Sequence, residues 1–309
     1  MDIIQQLIDP TMFASTIRLA VPIAYAALGA MFCERAGIIN IGLEGQLLTA
    51  SFFSVIATYF SGDPIIGVFG GILSASLVSL LFGALTIGLN GNQIIVGTGV
   101  NIAVTGLFGF LSFMLFNSPG VTPTVTGIKA ISIPYLSQIP WIGEALFVHT
   151  PTVFLLPIVV GLCYLLLYRT PIGLRIRVSG DNPIVDEAAG VNVLYVRYIA
   201  VILSGVLTGL GGVNLALEGS KFYQDSLVAG RGFIGLAANI FGGWTPIGGP
   251  LISLVFGFAR SLMFRVQGLN IPQEFFFMLP YALTLIVMVG AATRSEAPLA
   301  LGENFIRKE

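Results

Sequence analysis

Long apolar stretches separated by short polar clusters dominate this chain. Uncharged runs cover residues 19–33, 45–62, 145–168, 198–217, 232–259 and 275–293, and a further run extends from 64 to 128. A segment in lipid must satisfy its own backbone hydrogen bonds, which a helix does and an exposed loop cannot, and the runs lack the strict alternation of a membrane barrel. The longest run breaks at Asn90-Gly91-Asn92, a turn signal that predicts one span over 64–89 and a second over 93–116. The run at 232–259 breaks in the same way at Trp244-Thr245-Pro246. The pattern therefore predicts an all-α integral membrane protein of about nine membrane segments, some broken or re-entrant.

Composition sharpens this picture. Of 309 residues, 55% are hydrophobic and 9% charged, against roughly 45–50% and about 25% in an ordinary soluble domain. The 65 residues between Asp63 and Lys129 carry no charge, more than three times the roughly 20 that one spanning helix needs. A net charge of −1 leaves no basic footprint for nucleic acid, and Cys33 and Cys163 both fall in apolar runs, so no disulfide framework is expected. The start, Met1-Asp2-Ile3-Ile4, has no cationic leader and reads as lacking a removable signal peptide.

Basic residues near span ends are retained on the cytoplasmic side. Arg35, Arg169, Arg175, Arg177, Arg197, Arg294, Arg307 and Lys308 all fall on one side if there are nine spans. That orientation expects the N-terminus outside, the loop 117–150 with Lys129 outside, and both the loop 169–197 and the tail 294–309 in the cytoplasm. The whole chain, 1–309, then forms one transmembrane domain.

The loop 169–197 holds seven of the 29 charges. Within it Asn182-Pro183 followed by Asp186 and Glu187 predicts a capped helix with proline at its first position and acids in its first turn, stopped by Gly190. An ordinary solvated loop would explain the charge equally well.

Two octapeptides, 36–43 and 229–236, match at five of eight positions with a constant offset of 193. Five spans separate them, so the second copy would enter the membrane from the opposite side, the inverted-repeat arrangement of many transporters. Polar side chains at membrane depth are expensive and usually face a bundle interior or a water-filled path. Asn40, Glu44, Gln46, Asn101 and Asn239 are accordingly the candidates for lining such a path, with interhelical hydrogen bonding as the competing role. The small-residue pairs Gly67/Gly71 and Gly205/Gly209 are expected to serve close helix packing.

Catalytic chemistry finds little support. Gly230-Arg231-Gly232-Phe233-Ile234-Gly235 fits a dinucleotide fingerprint only in spelling, because no strand–turn–helix unit surrounds it. None of Lys129, Lys221 and Lys308 follows a glycine, which excludes a Walker phosphate loop. The sole histidine, His149, lacks a nearby cysteine and is expected to be solvated or interfacial, so no metal site, cofactor or catalytic residue is assigned.

The stretch 34–46, Glu-Arg-Ala-Gly-Ile-Ile-Asn-Ile-Gly-Leu-Glu-Gly-Gln, resembles membrane permeases of bacterial ABC importers in the branched-chain amino acid, ribose and nucleoside group. Asn92 to Gly97, Gly180-Asp181-Asn182-Pro183, Glu187-Ala188-Ala189-Gly190 and Gly248-Gly249-Pro250 extend the resemblance along almost the whole chain. It is similar above all to nucleoside permeases served by basic-membrane-lipoprotein-type binding proteins, whereas sugar permeases usually carry a GGIDLSVG-like stretch. The resemblance implies a non-catalytic permease subunit of the bacterial cell membrane. Its implied partners are an ABC ATPase, a second permease in a heterodimer, an extracellular substrate-binding lipoprotein and membrane lipid. It also implies that Arg175, Arg177, Asp181, Asn182, Pro183, Asp186, Glu187, Ala188, Ala189 and Gly190 form the cytoplasmic coupling element. Phe222 and Tyr223 would suit a nucleoside or a sugar. A sugar or branched-chain amino acid permease, a membrane enzyme and an ATP-independent carrier remain competing readings.

Overall fold

The structure, a computed structural model, describes residues 10–140, 142–266 and 296–305. The expected span over 275–293 and the basic residues Arg294, Arg307 and Lys308 lie outside the described residues, as does part of the tail 294–309. The helices are α1 Pro10–Arg35, α2 Leu43–Ser61, α3 Pro64–Gly83, α4 Gln93–Phe116, α5 Ile142–Phe147, α6 Pro151–Arg169, α7 Pro171–Asp181, α8 Pro183–Ala188, α9 Val193–Val213, α10 Arg231–Phe241 and α11 Gly248–Val266. Two π-helical turns extend α3 over Ala84–Gly88 and α9 over Asn214–Ser220. Five of these helical units are long and apolar enough to cross a membrane: Pro10–Arg35, Pro64–Gly88, Gln93–Phe116, Pro151–Arg169 and Val193–Ser220.

The break at Asn90-Gly91-Asn92 falls where the turn signal puts it. Asn90 adopts a left-handed φ of 53°, and the Asn92 side chain caps α4 by accepting from the Ile94 and Ile95 amides at 3.0 and 3.1 Å. The break near Trp244 likewise separates α10 from α11, with Gly243 and Trp244 both at positive φ.

Helix α1 forms the centre of the bundle, against which α9, α10 and α11 pack. Two further seams, α2 on α3 and α3 on α9, bring backbones close at small residues. A Cβ at Gly67 would stand 2.6 Å from the Ser54 carbonyl oxygen, and one at Gly205 would stand 2.7 Å from Ser76 Cα. Lipid provides no hydrophobic drive between helices, so this close fit and its dispersion energy hold them together. Ser79 Oγ adds a 2.6 Å hydrogen bond to the Val201 carbonyl across the α3–α9 seam.

The two ends of the bundle differ. At one end Arg265 pairs with Thr11, Thr152 pairs with Glu218, and residues 121–128 lie along 217–224 through Thr122 N to Tyr223 O at 3.1 Å and Ile128 N to Leu217 O at 2.9 Å. The stretch 117–150 is thus a packed cap rather than a plain loop. It includes a two-stranded ribbon, β1 Ile131–Ser132 against β2 Val148–His149. His149, expected to be solvated or interfacial, is instead buried at 1% exposure, with Nε2 2.8 Å from the Ala145 carbonyl. The ribbon and α5 fold over it and remove it from water. The opposite end gathers Arg35, the turn at Asn90, helices α7 and α8, and residues 298–305.

The two matched octapeptides share one feature and part at another. Gly37 and Gly230 both take left-handed φ, 86° and 78°. After Gly37 the chain stays irregular until α2 begins at Leu43, whereas Arg231 is already helical. The difference has a local cause. In the first copy Gln93 Oε1 accepts from Ile39 N at 2.7 Å, and Asn101 Nδ2 donates to Ile41 O at 3.0 Å, so side chains of α4 satisfy the backbone that a helix would otherwise satisfy itself.

Candidate functional site

The irregular segment 38–42 lies beside the first turns of α4 and delivers α2 with its N-terminus inside the bundle. Asn101 Oδ1 accepts from Gly45 N at 2.8 Å. Asn40 and Gln46 exchange amide hydrogen bonds at 3.4 Å, and Asn40 Nδ2 also donates to Ser204 Oγ at 3.1 Å. Both residues are fully buried. Their polar atoms therefore hold α9 against the head of α2.

Glu44 sits where two interrupted helices meet. Its carboxylate oxygens accept from Gly230 N and Gly232 N, each at 2.7 Å, so a side chain on the first turn of α2 caps α10. The partial positive charge at both helix starts favours a carboxylate at this point. The fit is close: a Cβ at Gly232 would lie 2.5 Å from Glu44 N.

Asn239 belongs to a different cluster. Its Nδ2 donates to Glu34 Oε2 at 2.7 Å, Trp244 Nε1 donates to the same oxygen, and Arg35 Nε donates to Trp244 O at 2.8 Å. The cluster ties the end of α1 to the turn between α10 and α11. Of the five residues expected to line a path, Asn40, Gln46 and Asn239 are therefore buried in internal hydrogen bonds, while Glu44 and Asn101 are half-buried. Glu34 was not anticipated, because it lies at the edge of an uncharged run and reads as the residue ending a span.

A further polar cluster was also missed. The π turn on α9 presents Asn214 and Glu218, and Asn214 Nδ2 donates to Glu218 Oε2 and Thr152 Oγ1, both at 2.7 Å. Thr152 N reaches Glu218 Oε1 at 3.1 Å, and its hydroxyl reaches Oε2. Asn214 and Glu218 border a cavity of about 260 Å³ together with Arg18, Thr150, Ser220 and Arg231. π turns are often found at functional sites, and ionisable groups inside a membrane bundle usually mark a substrate path. The available signal was Asn214, the only amide in the uncharged run 198–217. Tyr223, by contrast, is enclosed in an aromatic cluster 5.0 Å from Phe52, whose ring stacks on Phe108 at 4.5 Å.

At the opposite end α7 and α8 meet at Asn182, whose Oδ1 accepts from Val185 N at 3.3 Å, with Pro183 at the first helical position and Gly190 at φ 80° just beyond the end. The sequence predicts only the second of these two helices. Thr170 caps the first by accepting from Gly173 N at 3.1 Å, with Pro171 at its start. Arg175, Asp181, Asn182, Ala188, Ala189 and Gly190 are exposed, while Arg177 stands 5.1 Å over the Tyr168 ring. Ile184, Val185 and Tyr195 add exposed apolar surface at 70%, 55% and 66%. Asp186 is buried, and burial pushes its carboxyl above the usual range against the pull of Arg175.

The family model for the branched-chain amino acid transport system permease component matches residues 12–288. The guanosine ABC transporter permease protein NupQ of Bacillus subtilis is 33% identical, over 99% of each chain. The nucleoside ABC transporter permease protein NupC of Lactococcus lactis is 36% identical, over 96% of each chain. A putative glucose ABC transporter permease protein, TsgC13 of Haloferax volcanii, is 31% identical over 84% of this chain and 79% of its own length. No solved structure matches the chain. The chain is a multi-pass membrane protein and belongs to the branched-chain amino acid transport system permease component family.

Proposed function

We propose that this chain is one permease subunit of an ATP-driven nucleoside importer in a bacterial cell membrane. The observation that carries the substrate is the match to the guanosine and nucleoside permeases over nearly the full length of all three chains. The glucose permease relative covers less of both chains at lower identity. The chain itself does no catalysis. A separate ATPase hydrolyses ATP, a second permease subunit completes the membrane unit, and an extracellular binding lipoprotein delivers the substrate.

The end bearing α7 and α8 faces the cytoplasm in this reading, as the placement of Arg169, Arg175, Arg177 and Arg197 supports. Exposed Ile184, Val185 and Tyr195 together with Arg175 form the surface that seats in the ATPase. Substrate passes the polar interior, where the Asn214, Glu218 and Arg231 cavity supplies hydrogen-bond donors and acceptors suited to a neutral, hydrogen-bond-rich ligand. Glu44 and Asn101 stand on the path between the two helix starts. ATP binding and hydrolysis shift the outward–inward equilibrium through α7 and α8.

Uptake of radiolabelled guanosine or uridine, in cells deleted for their own nucleoside uptake and complemented with the complete transporter, tests this. Unlabelled nucleosides should compete, and ribose, glucose and leucine should not. Competition by leucine or by a sugar alone overturns the substrate assignment.

A further inference from the structure

Residues 298–305 pack on the end of the bundle that bears α7 and α8. They lie across the end of the bundle and touch four elements. Ala300 N donates to Gly180 O at 2.8 Å, at the end of α7. Gly302 N donates to Gly37 O at 3.0 Å, at the head of the irregular segment. Glu303 O accepts from Arg197 Nη1 at 3.0 Å, on the first turn of α9. Asn304 Nδ2 donates to Asn90 O at 2.7 Å, and its Oδ1 faces Gln93 Nε2 at 3.3 Å, at the start of α4.

The fit allows little slack. A Cβ at Gly37 would lie 3.1 Å from Ala300 O, and beside the strap α7 packs directly on the same segment, where a Cβ at Gly180 would lie 2.2 Å from Arg35 O. Gly302 holds φ 84° against Ile39, a conformation that side chains rarely adopt. Packed backbones of this kind move together rather than deform. From Gly37 the chain leads through Ile39, hydrogen-bonded to Gln93, and Asn40, hydrogen-bonded to Ser204, to Glu44 and the amides of α10. A contiguous line of contacts thus joins the end of α7 to the point where the interrupted helices meet.

We propose that residues 298–305 are a strap that carries displacement of α7 and α8 to the segment 38–42, with Gly302 and Asn304 as positioning residues for transport. This rests on the proposed role of α7 and α8 at the ATPase. Without the strap, α7 keeps its packing on Arg35 and Gly37 but loses the tie through Asn304 to the head of α4, so ATP is hydrolysed with little substrate crossing.

The test reconstitutes the complete transporter in proteoliposomes and measures guanosine moved per ATP hydrolysed. The variants are Asn304→Ala, Gly302→Val and a chain ended after Ala297. Asn304→Ala should assemble with its partners and keep basal hydrolysis within about twofold, while guanosine per ATP falls about tenfold or more. Asn304→Gln, which retains both amide groups, should recover part of that ratio. An unchanged ratio in Asn304→Ala overturns the strap even if the ended chain is inactive. Loss of assembly in both Asn304→Ala and the ended chain also overturns it, since the tail would then be part of the docking surface. Absence of ATP-dependent guanosine uptake in the unaltered complex counts against the transport reading, and uptake per ATP that survives both Arg175→Ala and Glu187→Ala counts against the coupling role of α7 and α8.

Discussion

Glu44, on the first turn of α2, satisfies two amides of a different helix with its two oxygens. Leaving a buried donor unpaired costs about 1–3 kcal/mol. Glu44→Ala should therefore lower the melting temperature in detergent clearly, and Glu44→Gln, which keeps an acceptor oxygen, should lower it less. Equal effects would show that the carboxylate does not cap α10. Asp186 permits a test by pH. Its folded-state carboxyl lies above the usual range because it is buried. Folding therefore bears the cost of a buried charge at pH above the folded value, and that cost disappears as pH falls through the ordinary carboxylate range. Asp186→Asn should raise the melting temperature at pH 8 and change it much less near pH 4; a gain that grows toward low pH would contradict the assignment. At this scale the sequence was a partial guide. Asn40, Gln46 and Asn239 stand out because amides in apolar runs are conspicuous, yet each is occupied by an internal partner, which for Asn40 and Asn239 is distant in sequence. Glu34 and Glu218 were passed over because a charge at the edge of an apolar run looks like the end of a span.

Among the elements, packing at glycine is the feature most open to direct test. Gly205→Val would drive a side chain into Ser76 and Ser79, where its Cβ alone would stand 2.7 Å from Ser76 Cα and from Ser79 Cβ, and overpacking of this kind costs about 1–3 kcal/mol. Gly99→Ala and Gly106→Ala introduce a methyl where nothing lies within 4 Å. Thermal denaturation should separate the first from the other two by several degrees, and equal melting temperatures would refute the seam. The turns at Asn90 and Trp244 were legible because asparagine, glycine and proline punctuate helices locally. The π turns were not, since they change the hydrogen-bond register without changing composition. Nor was the irregular segment 38–42, which is as apolar as a helix and is kept from becoming one by Gln93 and Asn101, more than 50 residues away in sequence. The helix at 183–188 announced itself through its cap, whereas α7 was hidden in a stretch recognised only as charged.

For the whole molecule, scarcity of charge identifies the lipid environment, and in the proposed reading the end that bears α7 and α8 is the one that meets the ATPase. In the same proposed reading the path opens and closes where the interrupted helices meet near Glu44, and the proposed strap links that place to α7. The most direct test is uptake of labelled guanosine into proteoliposomes that hold this chain together with its co-purified ATPase and second permease. With binding protein outside and ATP at the ATPase face, guanosine should accumulate above its external concentration, and accumulation should stop when ATP is omitted. Equilibration of guanosine that is the same with and without ATP would contradict an ATP-driven importer, and so would failure of any ATPase to co-purify.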